Sequence, residues 1–509
     1  METEPVFRDD EPDVAGESAP GGPPGGVMNG GYVPSLFARE GSAAPEEQHS
    51  DSMSQFISRT MATVADKDDP ADEGLIPNAP RTFTEVGLSK AFLTDLTMKI
   101  MHYSGTPSLA QLSKRLGLHT EIVGQILQAL QEERLVDILS QSDLYTGNYR
   151  YRLSERGQTR VAEALERTRY AGPAPVTAEQ YTRVMTKLLE EKPAVSRNEI
   201  TEALKDLVLT SEVSDATARA LYSGKTTLLY GPSGNGKTVV LERFAKALEG
   251  HSVMPYAIYA YGQVIRVFDA SIHQPLETPD QNEDSSSFKD DSLLDRRWVK
   301  VKRPAIILGA EMDRDALDLG YDPQSKFYQA PAHIKAQNGA LIVDDFGRQR
   351  VTTTDLLTRW LIPLERGWDS LSLATGEKLT VPFRLQLLFG TNARVRDVAD
   401  DSLLRRILYK VRMPNPDEAN FGEIMRRECR TKHVPVEDDA IEHAVRKIYD
   451  EPGLQPRASY ARDLVEILIE SASFDGAKPV LSRDSFDRVF ALFVENEADV
   501  DEAELDEDF

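Results

Sequence analysis

Cysteine is almost missing: Cys429 is the one thiol in 509 residues, which excludes an internal disulfide and fits a reducing compartment. Long apolar runs are missing too. No stretch approaches 18 consecutive hydrophobic residues, and Met1 to Pro20 is acidic rather than basic-then-apolar. Neither a membrane span nor a secretory signal is expected, and the chain is read as cytoplasmic. The eight histidines form no His-Glu-x-x-His pattern and no paired Cys/His spacing, so no zinc site is implied. Cys429 sits between charged residues with no obvious base, which sets thiol chemistry aside.

Acidic charge is in excess, but unevenly spread. Of a net −24, residues 1–80 hold 16 acids against 4 bases, and residues 495–509 hold 9 acids and no base. The ends therefore carry −21 and the rest of the chain only about −3. The first end also contains "SAPGGPPGGVMNGGYVP", with too few apolar groups to offset the entropy of ordering. Both ends are expected to be disordered, solubilising tails. "PSLFAREG" and "SMSQFISRTMATV" are the apolar islands in them, either of which would suit a docking motif.

Order is expected over 81–171. "LSKAFLTDLTMKIMHYSG" sets Phe92, Leu93, Leu96, Ile100 and Met101 at helical spacing before Gly105. Two short helices follow, in "SLAQLSKRLGL" and "HTEIVGQILQALQEERL". "LVDILSQSDLYTGNYRYRLSERG" then alternates like two strands around a turn at Gly147 and Asn148. Three helices and a hairpin resemble the winged-helix fold, an α+β domain that often reads DNA. A DNA reader needs cations or amides toward the groove. Here Ile122, Ile126, Leu127 and Leu130 take the inward face, leaving Glu121, Gln125, Gln128, Glu132 and Glu133 outward. Carboxylates there disfavour nucleic acid and favour a protein contact, although Arg150, Arg152 and Arg156 on the wing keep DNA possible. A linker and helical segment is expected over 172–205.

The chemistry begins at "TTLLYGPSGNGKTVVLERFAKALEG": a buried strand, a glycine-rich loop, and a helix with Val240, Leu241, Phe244 and Leu248 on one face. Within it, Gly231, Pro232, Ser233, Gly234, Asn235, Gly236, Lys237 and Thr238 match G-x-x-x-x-G-K-[ST] in full. Glycines let backbone N–H groups wrap phosphates, the lysine reaches the β/γ oxygens, and the threonine hydroxyl ligates Mg²⁺. ATP and Mg²⁺ are the ligands this implies. "GALIVDDFGRQR" then brings Asp344 and Asp345 to the end of an apolar strand 107 residues after Lys237. "LQLLFGTNAR" places Asn392 at the end of another, and "DDSLLRRILYKVRMPNPD" carries Arg405 and Arg406. "ASYARDLVEILIESA" sets Arg462 in an amphipathic helix.

This ordered series resembles the AAA+ ATPase family across roughly residues 176–494. The resemblance implies an α/β P-loop domain over 206–413, a parallel sheet flanked by helices, with a helical lid over 414–494. It implies Lys237 and Thr238 as Walker A, Asp344 and Asp345 as Walker B, Asn392 as sensor 1 and Arg462 as sensor 2. Arg406, which precedes the apolar Ile407, is implied as the arginine finger, with Arg405 in reserve. Asp345 departs from the glutamate usual at its position and is one methylene shorter, so a water would have to sit closer or the backbone bring the carboxylate forward.

Between Lys237 and Asp344 the chain exceeds a minimal core. "YAIYAYGQVIRVFDAS" reads as a hairpin around Gly262, and "RRWVKVKRPAIILG" as an exposed strand whose cations Arg296, Arg297, Lys300, Lys302 and Arg303 surround Trp298, or else as a contact surface for substrate or the winged helix. "LERGWDSLSLATGEKLTVPFRLQLLFGTN" resembles a hairpin that several AAA+ clades insert before sensor 1. Together with "GLSKAFLTDL", "YRYRLSERG", "GPAPV" and "IRVFD", these segments resemble bacterial predicted ATPases with chaperone activity associated with Flp (tight-adherence) pilus assembly. The resemblance implies a homo-oligomer, most often a hexameric ring, remodelling a protein partner with slow or partner-stimulated hydrolysis. A DNA-associated ATPase and an ATP-gated switch with little turnover are the other classes.

Overall fold

The computed structural model describes residues 76–139, 149–190, 195–248, 250–276, 294–398 and 404–506. Its first helices are α1 (Phe83–Val86), α2 (Lys90–Ser104), α3 (Leu109–Leu116) and α4 (Thr120–Glu132). Serines at the starts of α2 and α3 take backbone N–H groups that the helices leave orphaned. Strands β1 (Val136–Leu139) and β2 (Arg150–Leu153) pair antiparallel, and α5 (Glu155–Arg167) follows. The expected turn at Gly147 and Asn148 lies outside the described residues. Leu93, Leu96, Ile122, Ile126, Leu130 and Leu153 share one core. Glu121, Gln125, Gln128, Glu132 and Glu133 are exposed on α4.

Next come β3 (Val176–Thr177), α6 (Ala178–Glu190), α7 (Arg197–Leu204) and α8 (Ser211–Tyr222). The chain then runs through β4 (Thr227–Tyr230), α9 (Lys237–Ala247), β5 (His251–Pro255), β6 (Ala257–Ala260), β7 (Gln263–Arg266), β8 (Trp298–Lys302) and β9 (Ala305–Leu308). β10 (Gly320–Asp322), β11 (Phe327–Gln329), α10 (Ala332–Lys335), β12 (Ala340–Val343) and α11 (Thr353–Arg366) follow. A hairpin of β13 (Trp368–Ser372) and β14 (Lys378–Pro382) leads to β15 (Gln386–Thr391), α12 (Val395–Val398) and β16 (Tyr409–Arg412).

The central sheet has the order β16-β4-β15-β12-β9, with every neighbour parallel. Its middle strands are buried along their whole length, β12 as Ala-Leu-Ile-Val and β15 as Gln-Leu-Leu-Phe-Gly-Thr, as expected of a sheet covered on both faces. Parallel pairing has a direct consequence for chemistry. The C-terminal ends of β4, β12 and β15 fall on one edge, so the residues that follow Tyr230, Val343 and Thr391 emerge side by side.

A second sheet, β10-β11-β7-β6-β3, is assembled mostly from the residues between α9 and β12. Here "RRWVKVKRPAIILG" departs from expectation. Trp298 is buried, and Arg297 is no exposed cation: it is 2% exposed and donates to Asp295, to Val86 O and to Pro175 O. A buried guanidinium is tolerated because an equally buried carboxylate and two carbonyls satisfy it. These bonds tie α1 and the residue before β3 to the start of β8, which pairs with β5 in a separate two-stranded sheet.

Two expected boundaries also move. Asp295 N donates to Pro77 O at 2.8 Å and Asn78 bridges Leu294, so the ordered chain begins before residue 81. The C-terminal bundle comprises α13 (Glu418–Thr431), α14 (Ala440–Asp450), α15 (Ala458–Phe474) and α16 (Arg483–Asp506). α16 runs well past residue 495 because its acidic end is rich in Glu and Ala, good helix formers. Cys429 lies in the bundle core with Phe421, Met425, Leu464 and Phe486, its thiol pushed up to about 11 by burial.

One buried cluster anchors the β13–β14 hairpin. Asp369 accepts from His333 Nε2 at 2.7 Å and from both terminal nitrogens of Arg359 at 2.5 and 3.0 Å. Burial alone would raise its pKa, but the hydrogen bonds from His333 and Arg359 prevail and hold the carboxyl at about 2. Its stabilising contribution is therefore fully present above the ordinary pKa near 3.8 and is lost as pH falls through about 2. Asp369→Ala should cost about 3–5 kcal/mol by leaving the buried His333 and the half-buried Arg359 guanidinium without their partner. Chemical denaturation at pH 7 checks this, and a loss under about 1 kcal/mol would contradict the cluster's role.

Candidate functional site

The loop between β4 and α9 can exist only with glycine at its ends. Gly231 has φ +142°, and a Cβ there would lie 2.2 Å from Met413 O; Gly236 has φ +81°. Gly236 is also the N-cap of α9 and offers no side chain to the helix, so the first N–H groups are left available to an anion. Lys237, the first residue of α9, is 6% exposed and its Nζ donates to Gly231 O at 2.9 Å and Pro232 O at 2.7 Å. Burial pulls the ammonium down to about 8, against the opposing fields of Asp344 and Asp345. Ser233 and Thr238 are exposed at the rim.

Asp344 and Asp345 follow β12 on the same edge. The Asp344 carboxylate occupies space that Gly390 of β15 leaves open: a Cβ at Gly390 would stand 2.6 Å from Asp344 Oδ1. Asp345 is exposed and takes a left-handed backbone, φ +48°, which a non-glycine residue adopts at some cost. Asn392, following β15, donates from Nδ2 to Asp345 Oδ1 at 3.1 Å. Gln349 Nε2 holds the turn by donating to Asp344 O and Asp345 O. Residues far apart in sequence thus meet through strand register, Thr391 pairing with Tyr230 and Val343 with Phe389.

The arginines stand elsewhere. Arg406 precedes β16, whose Tyr409 pairs with Thr227 at the start of β4. It therefore lies at the opposite edge of the sheet, roughly 13 Å away for four residues at about 3.3 Å each. There its guanidinium is ion-paired with Glu365 at the end of α11, while Nε is buried without a hydrogen-bond partner. Arg405 is exposed. Arg462 is exposed and ion-paired with Asp463 at 3.0 Å. It sits on α15 four residues after Ala458, about one turn along from the helix end that meets the glycine-rich loop.

That meeting was not foreseeable from local patterns. Asn235 is 6% exposed, and its side chain turns away from the loop toward the C-terminal bundle. Oδ1 accepts from Ala458 N at 3.1 Å and Nδ2 donates to Asn415 Oδ1 at 2.7 Å. Beside it opens a shallow cleft whose walls include Val208, Leu209, Met413, Pro414, Ile424 and Ala458. Its lining mixes these apolar side chains with the amides of Asn235, Asn415 and Asn420. Phosphates fit the glycine cradle and open helix end, and the hydroxyl of Thr238 and carboxylate of Asp344 are the kinds of oxygen donor a divalent cation takes.

Residues 417–492 match a family model described as a domain of unknown function (DUF8689). No curated protein matches the chain. Among solved structures, the chain is similar to NtrX from Brucella abortus in complex with ATP, at 12% identity and a TM-score of 0.35, over 65% of this chain and 61% of that one. It is also similar to RuvB from Thermotoga maritima, a Holliday junction branch migration motor, at 12% identity and a TM-score of 0.32, over 56% and 69%. The chain thus spans about 61% of the length of the NtrX chain. Among the described residues no helix is long and apolar enough to cross a membrane.

Proposed function

We propose that the protein is an AAA+ ATPase that hydrolyses ATP in a ring of its own copies and uses the cycle to remodel or assemble protein partners. The observation that supports it best is the convergence of Lys237, Asp344, Asp345 and Asn392 on one sheet edge, with Asn392 on the Asp345 carboxylate. In this reading the cleft beside Asn235 takes the base, and the Gly231–Gly236 amides with Lys237 hold the phosphates. Thr238 and Asp344 hold Mg²⁺, which when bound neutralises charge on the β- and γ-oxygens. Asp345 accepts the proton of the attacking water, oriented by Asn392. Arg462 completes the site from a helical lid formed by the C-terminal bundle. Arg406, remote from its own site, serves a neighbouring copy.

Ring assembly, hexameric in the family this chain resembles, follows from that remoteness. The N-terminal winged-helix-like domain contacts protein rather than nucleic acid, since α4 presents carboxylates and amides outward. A pilus or secretion setting rests on the sequence resemblance. Phosphate release from ATP and Mg²⁺, measured together with mass in solution, tests the reading. A protein that neither retains ATP nor releases phosphate at any concentration would sink it, and salt-dependent binding to duplex DNA would favour a DNA-associated ATPase.

The depressed Lys237 ammonium gives a pH test. Its folded pKa of about 8 lies below the ordinary 10.5, so its contribution to fold stability is fully present above the ordinary value and lost as pH falls through about 8. Bound phosphates reverse the balance by favouring the charged form. ATP binding should therefore take up a proton at pH 8.5–9, and affinity should fall as pH rises further. Calorimetry in two buffers of different ionisation heat reads the uptake; identical heats would refute it.

A further inference from the structure

Helix α15, like α9 and α14, lacks a cap that seven other helices supply for themselves. α2, α3, α5, α7, α8, α11 and α13 each begin with a Ser, Thr or Asp whose side chain accepts from the helix's own first turn. The N-cap of α15 is Arg457, which makes no such bond. Its orphan donors are met by the glycine-rich loop: Ala458 N by Asn235 Oδ1 at 3.1 Å, and Ser459 N by Gly234 O at 2.9 Å. Gly234 is required for this approach, since a Cβ there would lie 2.4 Å from Ser459 Oγ. The other end of the Asn235 amide bonds Asn415, in the segment joining β16 to the bundle.

We propose that Asn235 is a positioning residue that fastens the C-terminal helical bundle to the phosphate loop, so that Arg462 and the bundle wall of the cleft are held in place by the loop itself. The inference rests on the reading of this loop as the ATP site. Among the loop residues between Gly231 and Gly236, Asn235 is the buried one, and its side chain bonds one bundle helix and the segment leading into the bundle rather than the loop. A shift of the loop around phosphates would move the cap of α15 with it, and with α15 the arginine one turn along.

Hydrogen exchange on the full-length protein tests the contact without nucleotide. Asn235→Ala should raise exchange at Ala458 and Ser459 by about tenfold, the effect of losing one N-cap, while the α9 amides Val240–Ala247 stay unchanged. Asn235→Asp, which keeps the acceptor, should restore protection. In ATP turnover, Asn235→Ala and Asn415→Ala should each lower kcat about tenfold while KM moves less than threefold. Unchanged exchange at Ala458 and Ser459 would overturn the proposal, as would α9 loosening to the same degree or unchanged kcat in both variants. Because exchange is read in the free protein, a wild type inert toward ATP would defeat the functional reading and still leave the contact decided.

Discussion

Arg406→Ala is expected to reduce ATP turnover by about a thousandfold or more while leaving ATP binding intact, the range an arginine finger contributes to phosphoryl transfer. The expectation comes from where the residue stands. Leu404 and Ile407 are buried and pin the segment, while parallel pairing of β16 with β4 puts Arg406 at the edge away from Lys237. Its guanidinium is ion-paired to Glu365, and in the proposed reading Arg406 acts on the phosphates of another copy. Two measurements check this. Specific turnover of the wild type should rise with protein concentration, and inactive Arg406→Ala should be partly rescued by mixing with Lys237→Ala, whose arginine is intact. Turnover at the parental rate in Arg406→Ala, or a wild-type rate independent of concentration, would remove the assignment.

Asp345→Asn should cost about 10²- to 10⁴-fold in turnover, the usual contribution of a general base, and should spare nucleotide binding. The substitution is well suited to the position, because asparagine is among the few residues that accept a left-handed backbone. Any loss would then report on the missing base rather than on a distorted turn. The shortness of aspartate relative to glutamate is met here by the turn itself: φ of +48° re-aims the carboxylate, and Asn392 holds one of its oxygens. Single-turnover phosphate release compares the two proteins, and a rate within threefold of the parent would show that Asp345 is not the base.

Local patterns carried much of this. The run "TTLLYGPSGNGKT" could be read as strand, loop and helix because each residue type has its own backbone preference, and the observed β4 and α9 follow it. The hairpin at 257–266 was likewise legible from alternation around Gly262, and the one at 368–382 from the family resemblance. What stayed hidden depended on partners distant in the chain. Val176–Thr177, read as linker, became a strand because Ile258 and Tyr259 were there to pair with it. Arg297 looked like a surface cation because a sequence does not reveal that Val86 O and Pro175 O wait in the interior. The apolar cleft drew on residues between Val208 and Ala458, and no window of sequence contains them together.

The buried thiol of Cys429 has a practical consequence. With its pKa raised to about 11 and its side chain enclosed by the bundle core, it should ignore maleimide reagents at neutral pH. The natural chain is then already a background for site-specific labelling. Cysteines introduced at exposed positions such as Lys246 on α9 and Glu470 on α15 could carry a donor and acceptor dye, and energy transfer between them would follow the bundle in real time.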